Sequence, residues 1–232
     1  MKFMAYISVF LAALFVAQTA SAQAPQGLTT AQIRTNCKAN VSTLDNGDVV
    51  IKSLRAPTGE EMRKADNVPG IILMLLLYVD PNMDFEKFNA IMAKISGGKK
   101  VYVSDIMEAA DKYLSSNNMS FRSTKFSENN ARIKIDSGLP LFLQIRKCSE
   151  ISDIKNRNEA RAKAANMKEW SKSLRKLTVK KITKDGTLVN FALIIGYNKD
   201  TSEFFCLVEG SPVWMTASEI KLMQTGLYEL RI

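Results

Sequence analysis

The apolar and polar positions of the chain fall into two regimes. Between 68 and 79 the side chains are apolar on every side: Val68, then Ile71 through Leu77, then Val79, with Pro69 where a helix start tolerates proline. A helix apolar all round belongs inside a core. A buried strand is the alternative, because periodicity does not separate the two in so short a run. Length and leucine content favour the helix, and Asp80-Pro81-Asn82 closes it. Phe85, Phe88, Ile91, Met92 and Ile95 then recur at helical spacing up to Gly97-Gly98. Ser104 reads as the N-cap of a further helix to about Leu114, with Ile106, Met107, Ala110 and Leu114 inward. Upstream, Thr30–Asn40 predicts a short helix, Asp45–Asp48 a turn, Val49–Ser53 a strand and Ala56–Gly59 a break. Met119–Phe126 reads as extended. Ser127 reads as the cap of a short helix to Asp136, with Gly138 where a C-terminal glycine belongs.

After Gly138 the pattern changes to short apolar runs separated by turns. Pro140–Arg146 predicts a buried strand. Ser149–Lys176 is long and polar, a surface helix or a helical insertion, with Trp170, Leu174 and Leu177 as an apolar stripe near its end. Val179–Lys184, Asp185-Gly186 and Leu188–Tyr197 read as a hairpin whose turn needs positive φ. Asn198–Ser202 is the next turn and Glu203–Glu209 the next strand. Thr216-Ala-Ser-Glu219 is a capping box, opening a helix that carries Ile220, Leu222 and Met223. Gly226 is expected to end that helix, and Leu227–Ile232 to form a last strand. Helices followed by an antiparallel sheet is the α+β order.

Composition adds a compartment. Met1–Ala22 combines Lys2, an apolar run from Met4 to Ala17 and Ala20-Ser21-Ala22, the three parts of a secretory signal peptide. The apolar run is shorter than the roughly 20 residues that span a bilayer. The expectation is export, to the periplasm or outside the cell, with no membrane span after cleavage. The remaining chain of about 210 residues suffices for one full core, or at most two small ones. The expected division is 1–22 signal peptide, 23–47 leader and 48–232 a single domain. The formal charge is +9, which favours anionic partners. Its basic residues are spread out except between Lys155 and Lys184, and export argues against nucleic acid. Cys37, Cys148 and Cys206 leave open one disulfide plus a free thiol, Cys148–Cys206 among the pairings, or Cys206 as a small buried hydrophobe. Without histidine a zinc site lacks good ligands, and neither metal nor cofactor is expected.

Several short motifs then line up. Gly138-Leu-Pro140 opens an apolar strand, Leu193-Ile-Ile-Gly-Tyr-Asn198 is a strand with its exit, Thr201–Phe205 is a hairpin return and Trp214-Met-Thr216 reads as a helix start. In this order they resemble the papain-like cysteine peptidases of the bacteriocin-processing type and their exported bacterial relatives, over roughly Asp136 to Ile232. Val68–Leu114 resembles them only as a pattern of helices. The resemblance implies a papain-like α+β fold, with a helical N-terminal half packed on a C-terminal antiparallel sheet.

It also implies a cysteine at the start of the buried helix, a histidine opening the long strand, and an Asp or Asn on the next strand. Such a peptidase needs a thiolate, an imidazole to take its proton and a partner to orient the imidazole. The matching positions here are the Asp66 region, Asn190 and Leu207. A carboxamide is no base, Leu207 is apolar, and no cysteine or serine stands between Arg63 and Gly70. The expectation is a pseudopeptidase that binds a peptide or protein partner in the former active-site cleft. A secreted basic binding or structural protein of the cell envelope, without peptidase ancestry, is the alternative.

Overall fold

The computed structural model describes residues 28–65, 68–98, 100–146, 181–182, 188–208 and 211–232. Local side chains set most of its helix ends. Thr29 caps α1 (Thr30–Ala39) in a capping box with Gln32. Thr58 and Glu61 do the same for α2 (Gly59–Lys64), so the segment expected to be only a break begins a helix. Helix α3 (Gly70–Val79) starts after Pro69. Asp84 caps α4 (Phe85–Ser96), which ends at Gly97 with φ +60°. Helix α5 (Val103–Ser115) begins after Tyr102 rather than after Ser104. The Asp105 carboxylate accepts the Tyr102 N–H at 2.8 Å, and this takes over the capping that Ser104 was expected to provide. Helix α6 (Glu128–Asp136) follows Ser127, whose side chain makes no cap bond. Its far end is a Schellman turn: the Gly138 N–H reaches Ile135 O at 2.8 Å and the Leu139 N–H reaches Lys134 O at 2.9 Å.

Among the described residues, nine antiparallel strands form one curled sheet: β1 (Val41–Thr43), β2 (Asp48–Ile51), β3 (Ser120–Thr124), β4 (Leu141–Arg146), β5 (Lys181–Ile182), β6 (Leu188–Asn198), β7 (Glu203–Val208), β8 (Ser211–Thr216) and β9 (Gln224–Arg231). The long strand β6 is the hub. Ala192 pairs with both Leu143 and Val208, so β4 and β7 lie on opposite edges of it. Gly196 pairs with both Val50 and Phe205, so β2 continues along the β4 edge. Strands β9 and β3 extend the sheet beyond β4, and β8 extends it beyond β7.

Three local expectations change here. Trp214 and Met215 belong to β8, opposite Phe205 and Phe204, instead of opening a helix. The helix, α7 (Ala217–Met223), starts one residue after them on the Thr216–Glu219 box. Gly226 lies inside β9 instead of ending α7; a Cβ there would sit 2.6 Å from the Gln144 side chain. Leu222 points to solvent at 75% exposure while Ile220 and Met223 are buried. The Ser149–Lys176 segment and the Asp185-Gly186 turn lie outside the described residues.

The core is built on α3, buried at every position but the half-buried Tyr78 and packed on β6. Each fully buried Leu or Ile stabilises by roughly 1.5–3 kcal/mol, so this one helix anchors both halves. Helix α1 joins the same core through Ile33 and Cys37. The expected boundary at 47/48 runs through the β1–β2 hairpin, which pairs Val41 with Ile51, so α1 and β1 belong to the domain. The fold is therefore α+β with an antiparallel curled sheet. Among the described residues no helix is long and apolar enough to cross a membrane. Met1–Ala22 lies outside them.

Candidate functional site

The approach to α3 is the first position to test. Val68 is buried and Pro69 ends the approach, while Asp66 and Asn67 lie outside the described residues. Asn190 is half-buried in β6, directly opposite Ile145 of β4. Directly opposed residues in an antiparallel pair share a face, and successive residues alternate. Asn190, Ala192 and Ile194 therefore point to one face. Leu207 is opposite Leu193 and points to the other.

On the next strand Val208, opposite Ala192, and Cys206, opposite Ile194, share the Asn190 face. The cause is a β-bulge between Ile194 and Gly196. Past it Gly196 faces Phe205, and an unbroken register would bring Leu207 opposite Ile194. One extra residue on β6 instead turns Leu207 away, since a one-residue shift exchanges faces. Leu207 is therefore excluded as a partner of Asn190, and Cys206 shares its face only at a distance of four residues along β6, about 13 Å. The sequence signal for the bulge is Gly196, a glycine inside the strand.

Cys206 is not an activated thiol. It is fully buried and donates only weakly, at 3.8 Å to Phe204 O. Burial pushes its pKa far up, and the Glu219 carboxylate adds to the effect. Reactive cysteines show the opposite, an exposed and electropositive setting. The Cys206 thiol is free, and Cys148, the partner left open by the sequence, lies outside the described residues. Cys37 is also free and buried, and burial raises its pKa while the Tyr78 side chain partly offsets this. The chain holds no histidine to act as base for either. Among the described residues no group of His, Cys, Asp or Glu side chains could hold a metal.

A cleft of about 390 Å³ does open on the domain, but at the other end of α3. Leu28, Ile33, Cys37, Asn40, Arg55 and Tyr78 are among its walls. Tyr78 lies eight residues beyond Gly70, about 12 Å along the helix axis. The Tyr78 hydroxyl donates to Gly138 O at 2.8 Å. At the cleft wall, Arg55 holds Glu61 bidentately, at 2.8 and 2.6 Å. The guanidinium, with help from Thr58, lowers the Glu61 pKa to about 2. Nothing in the sequence around Cys37 marks the packing of α1 against the end of α3.

A buried polar hub fastens the far end of β6. Asp48, 1% exposed, accepts from Asn198 Nδ2 at 2.6 Å and from Asn46 Nδ2 at 2.7 Å. Asn198 Oδ1 in turn accepts the Asp200 and Thr201 N–H groups at 2.9 and 3.0 Å. These bonds tie the 45–48 turn to the β6–β7 turn and leave the carboxylate in a structural role.

No family model, no curated protein and no solved structure matches the chain.

Proposed function

We propose that the protein is an exported, papain-like pseudopeptidase that binds a peptide or protein partner in place of cleaving it. The observation that carries this reading is Asn190. It occupies the central strand of a sheet packed on a helix buried at every position but Tyr78, at the position where the resemblance places a histidine, in a chain without any histidine. A carboxamide accepts and donates hydrogen bonds but does not take a proton at neutral pH. The two described thiols are buried with raised pKa values, which supports the absence of hydrolysis. Extended-peptide pairing to the sheet or groove is the binding mode such a fold offers.

The test is turnover of a fluorogenic peptide library by the wild type and by Asn190→His. Neither protein should cleave, because the nucleophile is missing as well as the base. Thiol-dependent cleavage by the wild type refutes the proposal. The export part is tested separately, by the N-terminal sequence of the protein recovered outside the cytoplasm, which should begin near Gln23.

A further inference from the structure

We draw no further inference here: the strongest candidate, the cleft of about 390 Å³ between α1 and the far end of α3, has its Arg55, Asn40 and Tyr78 side chains already bonded to Glu61, Ser53 and Gly138 of the protein itself, and nothing in the structure shows what fills it.

Discussion

Replacing Gly138 by alanine tests how tightly α1 is built into the domain. Gly138 closes α6 with φ +72°. An alanine Cβ there would lie 1.9 Å from Cys37 O and 2.2 Å from Cys37 C, backbone atoms of α1. Holding a residue with a Cβ in the left-handed region costs about 1–2 kcal/mol. Relieving the contact requires α1 to retreat by more than an ångström. That loosens Ile33 and Cys37, 3% and 2% exposed, where a fully buried Ile alone stabilises by roughly 1.5–3 kcal/mol. The bond from the Tyr78 hydroxyl to Gly138 O adds about 1 kcal/mol at risk.

The expected loss for Gly138→Ala is about 4 kcal/mol, and for a chain of this size about 8–16 °C in Tm. Gly97→Ala is the control. Gly97 has φ +60°, but its Cβ would meet nothing within 4 Å, so only the backbone strain remains, about 1–2 kcal/mol. Urea denaturation of both variants isolates the packing contribution as the difference, about 3 kcal/mol. Equal losses for the two variants would refute the reasoning, because α1 would then yield without cost and would not be part of the core.

Two further predictions concern ionisation and the polar hub. The folded Glu61 pKa of about 2 lies below its usual 4.5, so this ion pair stabilises above pH 4.5 and its contribution is lost as pH falls from 4.5 through 2. With Arg55 half-exposed the effect is about 1 kcal/mol; amide exchange in α2 between pH 5 and 2.5 should rise relative to α5 after correction for intrinsic rates, and should not do so in Glu61→Gln. Asn198→Ala withdraws one donor from the buried Asp48 carboxylate and two bonds from the β6–β7 turn. It should cost about 2–3 kcal/mol in urea denaturation, whereas a loss under 0.5 kcal/mol would show that the hub does not hold the hairpins.

Much of the architecture was legible because it rests on short-range chemistry. The apolar-all-round run at 71–77 has no stable place but a core, and α3 is buried accordingly. Asp84, the Thr216–Glu219 box and Gly138 act within a turn of helix, and each sits where its side chain or φ requires. Misreadings came where two local signals competed. Ser104 and Asp105 both suit a helix start, and the carboxylate captured the Tyr102 N–H. Gly226 resembles a helix stop, yet it lies inside β9, paired with Gln144 of the neighbouring strand. That neighbour is distant in sequence.

By itself the sequence determined the α+β order, the buried helix, the long strand at 188–197 and the absence of an imidazole anywhere. Composition and local propensity are enough for these, since each depends on residues within one element. Only the tertiary structure decided which side chains share a face. The bulge between Ile194 and Gly196 turns Leu207 away from the face that Asn190 shares with Cys206 and Val208, while the irregular pairing of β4 and β9 sets Gln224 in the Asn190–Ile145 row. Register is a property of paired strands: a shift of one residue exchanges every side chain between faces while barely altering the local pattern. The candidate site of this protein is fixed at that level.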